Sequence, residues 1–391
     1  MKENSVSISE IYKPTIAIEQ GIAFTLLVLV FSWEFHALWL MYDILAFVSL
    51  YFISKHMSTA LALALLLALV SFIILTIFSG LHIISILSIW DNIKHIFVLF
   101  MLLSVVERHL EGRILKFTKS FGFIVGCIFI LQSLLVFYQY FNGYYKDDIS
   151  GTFGTASGHS IAYYCLLYLG YLFYDEKSKL LIFFVFCLSL LMNYFAENMG
   201  YYPLVILLLS YKWMTPKGLK YIFSYSAILI IAVFILDRAL GGILIQPVIN
   251  RFVEFFLVGN RDLNNFTPSR GYMTALALSL GGWFGAGPGC YSDIYSFLGW
   301  NNIAPIQINI SSATNLLAEY GVLGFLIWIY LYLIFIKRFF RKNKDFIFIS
   351  VFFVFSIFYN RVLNDERIIF LLIFLFMFLK VHMDRKNLIN D

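Results

Sequence analysis

The chain has 391 residues, of which 61% are hydrophobic and only 13% charged, with a mean hydropathy of +0.84. Soluble domains carry about a quarter charged residues, so this composition excludes a soluble globular protein and points to an integral membrane one. The net charge of +5 implies no nucleic-acid partner, because the basic residues sit in short loops between apolar runs.

Those runs fall at 16–33, 36–54, 57–79, 93–107, 120–141, 159–174, 180–196, 200–213, 220–236, 315–336, 345–360 and 366–382. They predict an all-α membrane protein of about twelve transmembrane helices, a single transmembrane domain over 1–391. Several are shorter than about 20 residues, short enough that one or two re-enter rather than cross. The first 15 residues are polar and no cleavage site follows the first run, so no removable signal peptide is expected. Twelve spans put both termini on one side. If that side is cytoplasmic, the inner loops hold twenty of the 28 basic residues and the outer loops eight, as the positive-inside rule demands.

Along the spans a few residues stand out. Asp43 in span two and Glu197 in "FAENMGYY" are costly in lipid and need partners. Ala60, Ala64 and Ala68 line one face of span three, which tight helix contact explains. A 17-residue outer loop, "NGYYKDDISGTFGTASG" (142–158), precedes His159 at an outer span end. The four cysteines are scattered. With no CxxC pair, HExxH or phosphate-binding glycine loop, neither a metal nor a cofactor is expected.

Residues 237–314 form a far larger outer, periplasmic loop between spans nine and ten, too apolar for disorder. Ile249, Phe252, Val253, Phe256 and Leu257 have the spacing of an amphipathic helix, which Pro247 starts and Gly259 ends. Met273, Leu276, Leu280 and Trp283 form a second apolar stripe. Both helices are expected on the outer surface of the bundle, at the interface. The second, 271–284, is about 21 Å long, too short to cross a hydrocarbon core of roughly 30 Å.

Six of the eight outer cations are arginine, and the large loop holds four arginines and no lysine. A guanidinium makes paired hydrogen bonds to phosphate oxygens, where an ammonium acts as a point charge. Arg270 stands at a helix start that Ser269 can cap, and a helix N-terminus plus an arginine makes an anion site. Arg251 and Arg261 are further substrate-binding candidates, and Tyr272 lies beside Arg270. The competing reading is that these arginines meet lipid headgroups or pair locally, as Arg251 would with Glu254. In "SSATNLLAEYGVLG" (311–324), Ser311, Asn315 and Glu319 share one helical face, expected to point into the bundle. Glu319 reads either as a general base for a hydroxyl or as the structural partner of a loop arginine. His159 reads as a helix-start histidine or as a substrate contact.

The order of these features carries a resemblance. "SRGYMTALALSLGGWFGAGPG" (269–289), then "NLLAEYGVLGFL" (315–326), with "GTFGTASGHSIAYY" (151–164) opening a middle span, resembles the O-antigen polymerase and ligase superfamily of bacterial envelopes over about residues 120–340. The resemblance implies a polytopic, GT-C-like glycosyltransferase of the bacterial inner membrane, active on its periplasmic face without a metal. Donor and acceptor would be glycans linked to undecaprenyl pyrophosphate, with membrane lipids and a chain-length regulator as further partners. It implies that Arg270 holds the leaving pyrophosphate, helped by Arg251 and Arg261, and that Glu319 takes the proton. Asn315, His159 and Tyr272 would contact substrate. Ligases of the superfamily carry a His-Asn pair about ten residues before the GxxG that matches Gly321 and Gly324; here Ile310 and Ser311 stand there. The chain is therefore more similar to a Wzy-type polymerase of O-antigen or capsule. The arginine that often follows span seven in the superfamily has no counterpart in "AENMGYY" (196–202). The alternatives are an O-antigen ligase acting on lipid A core and a transporter or flippase of lipid-linked oligosaccharide. Against the transporter stands the lack of an inverted internal repeat.

The charge split makes a test of its own. With the native cysteines replaced, Lys146→Cys and Asn265→Cys should react with a membrane-impermeant thiol reagent on intact cells, and Lys342→Cys should not. Labelling of position 342 from outside would overturn the twelve-span topology.

Overall fold

The computed structural model describes residues 20–28, 37–56, 86–110, 119–145, 148–154, 158–174, 178–198, 200–211, 270–287, 311–360 and 362–390, with isolated positions between 70 and 257. Its elements are helical, and no strand occurs among the described residues. In chain order they are α1 (Ala37–His56), α2 (Ile86–Leu110), α3 (Lys119–Phe141), α4 (Gly158–Tyr174), α5 (Lys179–Phe195) and α6 (Tyr201–Ser210). Then come α7 (Arg270–Gly281), α8 (Ser312–Phe339), α9 (Asn343–Tyr359), a 3-10 turn (Val362–Asn364) and α10 (Glu366–Asn390). Among the described residues two stretches, Ser120–Phe141 and Ser312–Phe339, are long and apolar enough to cross a membrane, by length and composition. Helices extend past several apolar runs, since a span ends at the lipid boundary and a helix ends where its capping bonds run out. Nearly all of the expected spans 57–79 and 220–236 lies outside the described residues.

The bundle is built around two helices that are apolar on every side. Every residue from Ile368 to Leu379 of α10 is at most 4% exposed, and every residue from Ile161 to Leu169 of α4 at most 6%. A helix apolar all round has no preferred face, so it is stable only where neighbours surround it. α10 packs on α4, α2 and α1, and α4 also contacts α3, α5 and α6. The two central helices approach closely at Gly170, where a Cβ would lie 2.6 Å from Leu375 Cδ1. The peripheral helices have the opposite surface: Phe47 on α1, Phe123 and Leu134 on α3, and Leu180 and Phe183 on α5 are all more than half exposed. Apolar surface of this extent marks contact with lipid or protein.

Where α1, α2 and α10 meet, the bundle contains charge. Lys94 is 3% exposed, with its Nζ 3.2 Å from Asp43 Oδ1 and 3.3 Å from Glu366 Oε1. Trp90 Nε1 donates to the same Asp43 oxygen at 3.3 Å. One residue on, His95 Nε2 lies 2.8 Å from the Leu363 carbonyl and Nδ1 2.7 Å from Tyr42 Oη. A carbonyl only accepts, so Nε2 carries the proton; in the neutral ring Nδ1 then accepts from Tyr42. Asp43 thus has the partners its position demands. Lys94, one of the eight cations that the twelve-span reading counts as outer, is the buried tie between three helices. Lys94→Met should strip two carboxylates of their shared cation and cost about 3 kcal/mol, the low end for a broken buried pair because Asp43 keeps some solvent. It should read as a clear fall in melting temperature in detergent, largely restored by adding Asp43→Asn and Glu366→Gln. An unchanged melting temperature for Lys94→Met alone would show that the triad ties nothing.

Candidate functional site

α8 is broken in its middle. It begins well formed: the Ser311 hydroxyl accepts from Thr314 N at 3.2 Å, and Ser311 N donates back to Thr314 Oγ1 at 3.0 Å. At Gly321 the backbone leaves the helix, with φ 66° and ψ −172°, before the helix resumes. A break of this kind strands carbonyls before it and N–H groups after it. The glycine-rich stretch that follows α7 supplies their partners. Val322 N donates to the Gly282 carbonyl at 3.1 Å and Leu323 N to that of Trp283 at 3.2 Å. In return Ala286 N donates to the Ala318 carbonyl and Gly287 N to that of Glu319, both at 2.8 Å. Residues 282–287 thus fill the gap in α8 with their own backbone.

The sequence permits this only through glycine. Gly285 has φ 88°, and a Cβ there would overlap the Glu319 carbonyl oxygen. A Cβ on Gly321 would lie 2.5 Å from Gly285 N, and one on Gly281 would overlap the Leu317 carbonyl. The described part of the "GAGPG" turn, 285–287, lies with its backbone against α8. α7 keeps only Met273 of its expected stripe buried. It packs on α8, and its buried row is Met273, Ala277 and Gly281, spaced by four, while Trp283 is 66% exposed. Small residues let α7 lie directly against α8, and that contact outweighs the bulkier stripe read from hydropathy.

Around the start of α8 a set of polar ties holds one end of the bundle. Ser312 N donates to the Asn360 carbonyl at 2.9 Å, and Ser312 Oγ accepts from Leu363 N at 2.8 Å. Asn360 Nδ2 donates to Tyr163 Oη of α4 at 3.1 Å. The loop 148–154 is pinned by α3: Gln139 Oε1 accepts from Ser150 N at 3.0 Å and Gly151 N at 2.8 Å, and Gln132 Oε1 from Thr152 N at 3.0 Å. From α10, Arg367 forks onto both oxygens of Asp365, at 3.0 and 2.9 Å, and its third nitrogen donates to the Phe153 carbonyl. Asn198 Nδ2 donates to the Gly158 carbonyl at 2.7 Å, fixing the start of α4.

The candidate residues divide between the two ends of this unit. Asn315 and Glu319 lie in the first half of α8, 8% and 5% exposed, on the face that begins with buried Ser311. His159, half-buried, is the second residue of α4. Arg270 opens α7, and Tyr272, 50% exposed, follows it. Gly281, at the other end of α7, is the residue that abuts α8, so the Arg270 backbone stands about 16 Å along the helix from that joint. The described contacts join the Glu319 carbonyl to the 285–287 turn. Arg251, Arg261, Glu254, Ser269 and the Ala60, Ala64, Ala68 stripe lie outside the described residues. The roles of Gln132, Gln139, Asn360 and Arg367 were not read from sequence. Gln132 and Gln139, seven apart in an apolar run and so on one face, were the signal available. Chemically, a buried carboxylate with a neighbouring amide and hydroxyl on one face suits hydrogen bonding to, or deprotonation of, a hydroxyl. Beyond this geometry, no protein-family model matches the chain and no curated protein is similar to it in sequence.

The filled gap separates two costs that a glycine substitution carries. Gly143 has φ 73° in open space, so Gly143→Ala should cost only the left-handed backbone penalty, about 1–2 kcal/mol. Gly285→Ala adds an overlap with a backbone carbonyl that cannot move aside, and should abolish recovery of folded protein. Similar yields and melting temperatures for the two variants would show that 282–287 does not occupy the gap.

Proposed function

We propose that the chain is a Wzy-type polysaccharide polymerase of a bacterial inner membrane, with about twelve spans, both termini cytoplasmic, and a periplasmic catalytic face. The observation that carries this reading is the joint between α7 and α8. The two stretches with the strongest resemblance, 269–289 and 315–326, lie far apart in sequence yet interlock through four backbone hydrogen bonds. The exposed apolar flanks of α1, α3 and α5 support a lipid surround.

In this reading a hydroxyl oxygen of one lipid-linked repeat unit attacks the anomeric carbon of the growing chain. The bond from that carbon to the pyrophosphate oxygen breaks, and undecaprenyl pyrophosphate leaves. Glu319 accepts the hydroxyl proton. Arg270, with Arg251 and Arg261, takes up the charge that builds on the leaving group, the usual largest contribution in such a transfer. Asn315, His159 and Tyr272 position the sugars. A second reading has its own support: a discontinuous helix and two carboxylates sharing the buried Lys94 are also features of transporters.

Detergent-purified protein is to be given undecaprenyl-pyrophosphate repeat units extracted from cells that lack it, with a chelator present. The polymerase reading expects a ladder of longer lipid-linked chains. Arg270→Lys should lose the ladder nearly as fully as Arg270→Ala, since both lose the paired contact, and Glu319→Gln should lose it at normal abundance. Glycan that changes sides in vesicles but not length would establish the transporter, and transfer only when lipid A core is added would establish the ligase.

A further inference from the structure

The turn between α8 and α9 reads "KRFFRK" (337–342). Phe339 and Phe340 are 0% and 2% exposed, so the middle of the turn is sunk into the bundle, while Lys337, Arg338, Arg341 and Lys342 on either side are exposed. The backbone is held in place: Phe340 N donates to the Ile336 carbonyl at 2.9 Å and Phe346 N to that of Lys342 at 3.0 Å. The side chains are positioned as well. Lys337 Nζ donates to Asn343 Oδ1 at 2.8 Å, and the Arg338 guanidinium lies 4.9 Å over the Phe100 ring.

Two more cations stand beside the turn, Lys344 over the Tyr211 ring and Lys380 over that of Phe340. Among the described residues the acids bonded here are Glu107, which meets Arg341 at 3.0 Å, and Asp345, which accepts from Tyr211 Oη. The four exposed cations of the turn meet one carboxylate, Glu107, among the described residues, which leaves a positive surplus on a turn held in place. The same two helices expose large apolar side chains close by. Tyr330 is 64% and Ile347 52% exposed, about two turns before and between one and two turns after the basic stretch. A soluble anion uses the charge alone. An anionic phospholipid uses both features, its phosphate on the cations and its acyl chains along the apolar flanks.

We propose that residues 337–342 form a binding site for the headgroup of an anionic phospholipid, with Lys337, Arg338, Arg341 and Lys342 as its phosphate ligands. The proposal rests on the reading of the chain as a membrane protein and is independent of what reaction it performs. Because Phe339 and Phe340 anchor the turn and Arg338 is stacked, little side-chain freedom is lost on binding, which favours a retained lipid over a transient neighbour.

The test uses the whole chain in mild detergent, with phosphatidylglycerol or phosphatidylcholine added as tracer and retained lipid counted by native mass spectrometry. Phosphatidylglycerol should be retained at least ten-fold better. Lys342→Gln should lower that preference about five-fold, the effect of one cation near a lipid surface. Lys179→Gln, which neutralises an exposed lysine at the start of α5, should leave it unchanged. Neutralising all four ligands to Gln should abolish it; the single exposed Lys342 keeps the test valid if that variant does not fold. Displacement of the lipid by millimolar inorganic phosphate would make free phosphate the ligand and sink the proposal. So would an equal loss of preference in Lys179→Gln. Equal retention of both lipids would overturn this site and leave the membrane reading standing, whereas a chain that stays monodisperse without detergent and holds neither lipid defeats both.

Discussion

Backbone hydrogen bonds at the break in α8 constrain everything around them. Within an apolar bundle, donors and acceptors that leave the helix have no water to turn to, and each one left unpaired costs several kcal/mol. Gly321 leaves the helix, so another stretch of backbone must come within hydrogen-bonding distance of it. Only a chain without side chains at the points of crossing can do so, which is why glycine stands at 281, 285 and 321. The rest follows in order: α7 must end beside α8, its contacting row must be small, and Glu319 must sit where its own carbonyl is held by Gly287.

The polar residues of this apolar chain work chiefly as ties between helices. Lys94 joins three helices through two carboxylates, and His95 links α1 to the turn before α10 through its two ring nitrogens. Asn360 reaches α4 and α8 together, and two glutamines of α3 hold the loop that Arg367 also grips. Nearly all of these lie at the end where α4, α8 and α10 begin. Hydrogen bonds fix that end in geometry. The opposite end, at the α8–α9 turn, is organised by cations over aromatic rings and presents charge outward.

How far the sequence alone reached depends on whether a feature is a property of one segment or of two. Helical fold class and the apolar runs are sums over consecutive residues, and composition and periodicity determined them. The shared face of Ser311, Asn315 and Glu319 follows from a spacing of four in one helix, and all three residues are buried. Asp43 needed a partner wherever it lay, because a charge in an apolar run cannot stay bare.

Other features required knowing which segments meet, and only the tertiary structure decided them. α10 and α4 have no polar face, so hydropathy cannot distinguish a central helix from one surrounded by lipid; their neighbours distinguish them. Lys94 counted as a loop cation until α1 and α10 placed a carboxylate on each side of it. Of the expected apolar stripe of α7 only Met273 is fully buried, because hydropathy rewards bulk while the contact with α8 rewards smallness. The conformation of Gly321 as a helix break depends on hydrogen bonds from residues 282–287, more than thirty positions earlier in the chain. A local pattern states what a segment needs in order to be buried, and only the neighbouring segments determine how that need is met.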